Sequence, residues 1–419
     1  MNAGGHDPVR VLLTGAAGYL GSHVHRALLA GGHEVVAIDA LLDTVHGANA
    51  AAPEDVSRID VRDQAALEPL LSDIDVVCHL AAAVPLPQLR GALEPAHADL
   101  SNLPAPQDVP HLRRVSGDGQ PGREDAVHGA GRCVRAPVGA DRAGAGRPGA
   151  DGMRWAALYA AHNDVGTAVL LAAMEHTGVR RLVLGSSVAV YGEGRYRGVR
   201  SGPFYPGLRR RGDLDRGLFD HRAPRSGEVL TWEPMGEDAP LRPRSAYAAS
   251  KVAQEHYALA WVANTGGNAT VLRYHQLYGE PVADGRRVRS AESGVVARFR
   301  AELAAGRSPQ VFEDGGQVRD FVHVRDAAVA TVAAVERQVP GFVPLNIASG
   351  RPLTLWEVAS VMARAVDGPP PVVTGQCRVT DIRHVVAHPE RARHALDFTA
   401  RTEPAEGLAD YAARGIGRR

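Results

Sequence analysis

Tyr247-Ala248-Ala249-Ser250-Lys251 places a phenol and an ammonium four residues apart, which on a helix is one face. A cation fixed beside a phenol stabilises the phenolate and lowers its pKa from about 10. The pair is then a proton donor and acceptor usable near neutral pH. Lys251 is the only lysine among 47 basic residues. Where arginine serves everywhere else, a surviving lysine marks a place that needs a compact ammonium, a role a planar guanidinium does not fill. Upstream, Gly185-Ser186-Ser187 ends a candidate strand, so Ser187 can share a substrate hydrogen bond with Tyr247.

Thr14-Gly15-Ala16-Ala17-Gly18-Tyr19-Leu20-Gly21 has the spacing of a dinucleotide-binding turn. Gly15 permits the tight turn, Gly18 lets backbone approach a pyrophosphate, and Gly21 lets helix pack on strand. The anion would sit at the helix N-terminus, where unpaired N–H groups and the dipole favour it. Asp39 closes the next strand candidate and would accept bonds from the adenosine ribose hydroxyls while repelling a 2′-phosphate. The expected cofactor is NAD.

These residues need a frame. Apolar runs at 9–14, 34–39, 75–80, 181–186 and 269–274 read as strands, and 20–30, 163–176 and the stretch after Ser250 read as helices. The alternation predicts an α/β fold, a doubly wound (Rossmann) parallel sheet with a smaller α/β C-terminal substrate domain. We assign 1–275 to the NAD-binding domain and 276–419 mostly to the substrate domain, with some segments returning. Residues 84–154 are 40 parts in 71 Gly, Ala, Pro and Arg, without Ile, Phe, Tyr, Trp or Thr. Such a stretch builds no core and is expected to be a disordered insertion. Residues 193–240, rich in Arg, Gly and Pro, read as a surface excursion.

Acidic residues also number 47, so the net charge is zero. That balance excludes broad phosphate-backbone binding to nucleic acid and a polybasic membrane patch. No membrane-length apolar run or signal peptide is visible, and Cys78, Cys133 and Cys377 form no CxxC pair. A cytoplasmic protein without a structural disulfide framework is expected.

TGAAGYLG, HLAA at 79–82, HNDVGT at 162–167, SSVAVYG, YAASK, LRYHQLYG and GGQVRDFVHVRD follow one another in this chain. In that order they resemble the extended short-chain dehydrogenase/reductase family, in its nucleotide-sugar epimerase and dehydratase branch. The resemblance spares only 84–154 and much of 193–240. It implies Ser187, Tyr247 and Lys251 as catalytic. It also implies cofactor contacts from Tyr19, Leu20, Asp60, Val61, Leu80, Ala81, Ala82, Asn163 and Tyr274, besides the glycines and Asp39. Arg319 is implied as the clamp on the diphosphate of a nucleotide-diphosphate sugar, Arg383 as a second clamp, Phe312 at the nucleobase and Gln276 at the sugar. Gln276 stands where the family usually has Asn.

Dehydratases of this branch carry Asp-Glu directly after the catalytic Ser/Thr. Here those places hold Val188 and Ala189, which transfer no proton. The reaction implied is therefore a 4-epimerisation by transient oxidation at C4, rotation of the keto sugar and return of hydride; the alternatives are a nucleotide-sugar oxidoreductase of the same family, or an NAD-binding scaffold whose catalysis the 84–154 insertion impairs. VYGEGRYR, the RYH triplet and VFEDGGQVRDFVHVRD resemble the dTDP-L-rhamnose 4-epimerase-like subgroup. The family further implies a homodimer. No metal site is expected.

Overall fold

The computed structural model describes residues 7–47, 49–85, 153–200, 202–282 and 294–414. The expected insertion at 84–154 thus lies, apart from its ends, outside the described residues. Seven parallel strands form the main sheet: β1 (Arg10–Thr14), β2 (Glu34–Asp39), β3 (Ser57–Arg58), β4 (Val76–His79), β5 (Arg181–Ser187), β6 (Asn268–Tyr274) and β7 (Phe342–Ile347). Their spatial order is β7-β6-β5-β4-β1-β2-β3. The order reverses between β1 and β4, and a crevice opens outside the strand C-termini at such a switch point.

Alternation along each strand feeds two cores. Val11 and Leu13 of β1, with Val76 and Cys78 of β4, face one core. It is shared with helix α1 (Tyr19–Ala30) and the helix Val324–Glu336. Leu12 and Val77 face the other core, built with Gln64–Leu71, Gly166–Thr177 and Ala246–Thr265. Both faces are covered, which explains why these strands read as unbroken apolar runs. Helix Val324–Glu336 and β7 come from beyond residue 275 yet belong to this body.

A smaller unit sits over the C-terminal edge of the sheet. Helices Gly294–Ala304, Leu355–Ala365 and Pro404–Ala413 pack around Tyr278, Phe299, Phe321, Met362 and Leu408. Strand Gln276–Tyr278 leaves β6 after one residue and pairs in parallel with Phe321–His323, tying this unit to the sheet.

Two expectations need correction. The helix expected after Ser250 begins at Ala246, because Ser245 caps it by accepting the Ala248 N–H at 3.1 Å. Residues 193–240 are not merely a surface excursion. Strands at 195–198, 202–204 and 231–233 form a three-stranded antiparallel sheet around fully buried Tyr196. Arg209 of this segment donates to Glu313 at 2.6 Å, deep under the smaller unit. Arg195, Arg197, Arg209, Arg211 and Arg216 of this segment are ion-paired, and of these Arg209 is buried. Among the described residues no helix is long and apolar enough to cross a membrane.

Candidate active site

A cleft of about 1640 Å³ runs along the switch point, from Asp39 and Asp60 at one end to Arg319 and Arg378 at the other. A pocket for one small ligand is typically about 300–1,000 Å³, so this one has room for two ligands in line.

The glycine turn forms its floor. Gly15 has φ +74°, and a Cβ there would lie 2.6 Å from the Ala81 nitrogen. A Cβ on Gly21 would lie 1.9 Å from the Gly15 carbonyl oxygen. Both positions demand glycine. Helix α1 starts at Tyr19 with no side-chain cap among the described residues, and its first intrahelical donor is the Ser22 N–H, to Gly18 O at 2.9 Å. The N–H groups of Tyr19, Leu20 and Gly21 are therefore the unpaired ones of the first turn. This uncapped terminus beside a cleft fits a pyrophosphate. The Tyr19 hydroxyl donates to Gly279 O at 2.8 Å and links the turn to the segment after Gln276–Tyr278.

Asp39 is buried at the end of β2, where its carboxylate accepts from Ala17 N (3.1 Å) and Leu41 N (2.8 Å). Asp60 and Val61 follow β3 on the same wall. Burial pulls the Asp60 carboxyl upward, but its bonds from Arg62 hold it below the usual range. Leu80, Ala81 and Ala82 line the cleft after β4.

Asn163 was expected beside the cofactor and is placed behind that loop instead. It is fully buried, its amide pairs with Ala83 N (2.7 Å) and Ala83 O (3.1 Å), and it donates to Ser250 Oγ at 2.8 Å. Its place is to lock the loop after β4 onto the helix that carries Tyr247.

Ser187, Tyr247 and Lys251 line one wall together. The Ser245 cap sets Tyr247 in the first helical turn, half-buried, with its ring edge-on to Tyr159 at 5.8 Å. Lys251 lies one turn on, buried, and donates to Gly185 O at 2.9 Å. Burial pulls its ammonium down to about 8, against the opposing charges of Glu255 and Asp164. Ser187 ends β5 and its Oγ accepts from Ala189 N at 3.2 Å, so its own proton is left to donate. Val188 and Ala189 face the cleft next to it. Tyr274 offers its ring to the cleft, while its hydroxyl lies 2.7 Å from Thr331 Oγ1 on the far side.

Several supporting residues escaped the sequence reading. Glu255 and Arg273 form a buried pair at 2.7 Å beneath Lys251, and Ser186 Oγ donates to Glu255 at 2.5 Å. His79 bridges Thr14 (2.7 Å) and Thr167 (3.0 Å), and burial with the charge of Lys251 pulls it down to about 3. Asp164 lines the cleft, and burial pushes its carboxyl up to about 6. The Glu-to-Lys spacing at 251 and 255 was a legible signal for one of these; the others depend on distant strands.

At the far end Arg319 donates to Val318 O (2.8 Å), Arg383 O (3.0 Å) and Ile382 O (2.5 Å). Of five guanidinium protons, the one on Nε and one on Nη2 remain, a single two-pronged edge. Gln276 is half-buried on the cleft wall. Arg383 and Phe312 are not among the lining residues, which corrects both expectations. Arg383 spends its donors on Asp220 (2.8 Å), Glu313 (2.9 Å) and both oxygens of Asp314 (2.6 and 2.9 Å). A guanidinium so saturated has nothing left for a phosphate. Phe312 lies under the Arg298 guanidinium at 4.5 Å. Wall residues absent from the sequence reading are Pro206, Gly207 and Leu208, brought in by the 193–240 segment.

Comparison with known proteins gives a consistent picture. A model of the NAD dependent epimerase/dehydratase family matches residues 11–93 and 225–348. The chain is 28% identical over 393 residues to dTDP-L-rhamnose 4-epimerase of Burkholderia thailandensis, covering 92% of this chain and 88% of the relative. It is 27% identical to UDP-glucose 4-epimerase of Mycolicibacterium smegmatis, with 96% of each covered. Among solved structures, UDP-glucuronic acid 4-epimerase from Bacillus cereus, in complex with UDP-glucuronic acid and NAD, shares the fold. Its TM-score is 0.63 at 20% identity, over 96% of this chain and 98% of that one.

Proposed function

We propose that this chain, which belongs to the NAD dependent epimerase/dehydratase family, is a nucleotide-sugar 4-epimerase. The observation that carries the reading is the grouping of Ser187, Tyr247 and Lys251 on the wall of a cleft with room for two ligands. Val188 and Ala189 beside them offer no acid or base for loss of water. Bound NAD supplies the acceptor, and later the donor, of the hydride at C4.

Ser187 keeps its proton, donates a hydrogen bond to the sugar O4 and orients it. Tyr247, as phenolate, takes the O4 proton and later returns it. Lys251 keeps one N–H on Gly185 O and has two left, one to stabilise the phenolate and one for a ribose hydroxyl. The uncapped turn of α1 holds the pyrophosphate of NAD, and Asp39 holds its adenosine ribose. The free edge of Arg319 grips the sugar diphosphate while the sugar turns about it. The relatives' names support a dTDP- or UDP-hexose as substrate.

The test is incubation with a panel of dTDP- and UDP-hexoses without added cofactor, with product configuration at C4 read by NMR. A stoichiometric demand for fresh NAD, or loss of water from the sugar, sinks the reading. Arg319→Lys is expected to raise KM about tenfold in steady-state kinetics with a smaller change in kcat. One ammonium cannot hold three carbonyls and also present a fork.

The same reading includes a cytoplasmic homodimer. Tyr257 and Leu259, on the helix that carries Lys251, are 45% and 46% exposed on opposite flanks of buried Ala258, and the Leu259 flank leaves an apolar side chain for a second copy to cover. Light scattering is expected to give twice the chain mass, and Leu259→Arg to halve it.

A further inference from the structure

Glu193 lines the cleft yet is only 3% exposed. It lies six residues after Ser187, on the chain that leaves β5. Its Oε1 accepts from Tyr196 Oη at 2.7 Å and His384 N at 2.8 Å. Its Oε2 accepts from Arg244 Nη1 at 2.9 Å and Arg383 N at 3.1 Å, and His221 Nε2 lies 3.1 Å from the same oxygen. An ionised carboxylate offers about four acceptor positions, so these four bonds leave none for a ligand. Burial pulls the carboxyl upward, but His221, Tyr196 and the His384 N–H hold it down at about 2.

Two of those donors belong to peptide groups that also meet Arg319. The Arg383 N–H shares its peptide with the Ile382 carbonyl, which accepts from Arg319 Nη2 at 2.5 Å. The His384 N–H shares its peptide with the Arg383 carbonyl, which accepts from Arg319 Nη1 at 3.0 Å. In a trans peptide the N–H and C=O point to opposite sides. Two successive peptides therefore lie between a carboxylate and a guanidinium, each with its dipole favourable to both charges. Hydrogen bonds in series polarise one another, most strongly in a low-dielectric interior. Among the described residues Arg319 forms no direct ion pair. Burial pulls its guanidinium down, and the Glu193 charge is the first to oppose that pull. Gly194 N donates to His384 O at 2.9 Å, and a Cβ on Gly194 would lie 2.7 Å from that oxygen, so the chain carrying Glu193 runs hard against this backbone.

We propose that Glu193 is the positioning residue of the diphosphate clamp, acting on Arg319 through the two peptides 382–383 and 383–384. It supplies the counter-charge that a direct carboxylate partner would otherwise supply, without occupying the free edge of the guanidinium. Because Glu193 and Ser187 sit on one short segment, it also sets how far the clamp lies from the hydroxyl that holds the sugar O4.

This rests on Arg319 gripping a nucleotide-sugar diphosphate, and a double-mutant cycle separates the two claims. UDP and dTDP are titrated calorimetrically into the NAD-loaded protein for wild type, Glu193→Gln, Glu193→Asp, Arg319→Ala and both Glu193 changes combined with Arg319→Ala. Glu193→Gln is expected to weaken nucleoside diphosphate binding roughly tenfold, the scale of one charged hydrogen bond, with KM raised more than kcat is lowered. NAD affinity should stay within about threefold. Glu193→Asp, which keeps the charge, is expected to recover part of the loss, and it carries the cycle if the Gln variant does not fold. With Arg319 already Ala, either Glu193 change should have little further effect, because the two residues act as one unit. Losses that add across the cycle, an equal loss of NAD affinity, or no loss at all overturn the role of Glu193. A wild-type protein that binds NAD but neither nucleoside diphosphate overturns the clamp reading itself.

Discussion

Replacing Tyr247 by Phe is expected to lower kcat by about 10²–10⁴-fold, the range for removing a positioned acid/base group. NAD affinity should stay within about threefold. The ring keeps its edge-on contact with Tyr159, and the glycine turn and Asp39 that would hold the dinucleotide are untouched. The loss falls on kcat because the phenolic oxygen is needed for transferring the O4 proton and much less for gripping the diphosphate. Retained turnover would show that another group moves the proton. Asp164 is the next carboxyl on the cleft wall, so Asp164→Asn in the Tyr247→Phe background would then identify it.

Glu255→Ala is expected to destabilise the fold by about 3–5 kcal/mol, measured as a shift in urea midpoint at constant m. Glu255 is 1% and Arg273 3% exposed. Arg273 donates to both Glu255 oxygens, at 3.0 and 2.7 Å, and to Tyr191 Oη and Glu237 O at 2.8 Å each. Removing the carboxylate strands a charge in the sheet and leaves Ser186 Oγ without its acceptor. The double change Glu255→Met with Arg273→Met should be much milder than the single one, because the cost lies in the unpaired charge more than in the missing attraction. A single substitution costing under about 1 kcal/mol would mean that water reaches Arg273.

The main strands were legible to within a residue or two, because buried parallel strands are apolar on both faces and stand out as runs. The glycine turn was legible because its constraints are local: what Gly15 and Gly21 must avoid is set within a short strand–turn–helix unit, apart from the approach of Ala81. The helix start at Ala246 was not, since Ser245 announces itself as a cap only in an extended conformation. The 193–240 segment misled because Arg, Gly and Pro usually mean surface, and nothing nearby in the chain shows Glu313 waiting 104 residues from Arg209.

The same contrast divides Arg319 from Arg383. Both are arginines in the C-terminal region, and the sequence treats them as equivalent clamps. Arg319 meets three carbonyls and keeps an edge free, whereas Arg383 meets three carboxylates and keeps nothing.

By itself, the sequence determined five of the seven sheet strands, the glycine turn, the acid at the end of β2 and the tyrosine–lysine pair, all properties of residue type and spacing within a few turns of chain; β3 and β7 emerged only in the fold. The tertiary structure alone decided which of those side chains still have donors or acceptors to offer. A side chain has a fixed number of hydrogen-bonding positions, and partners far away in sequence consume them first. Asn163 and Arg383 were used up in this way. Among the described residues Asp39 accepts only from Ala17 N and Leu41 N and keeps about two positions open.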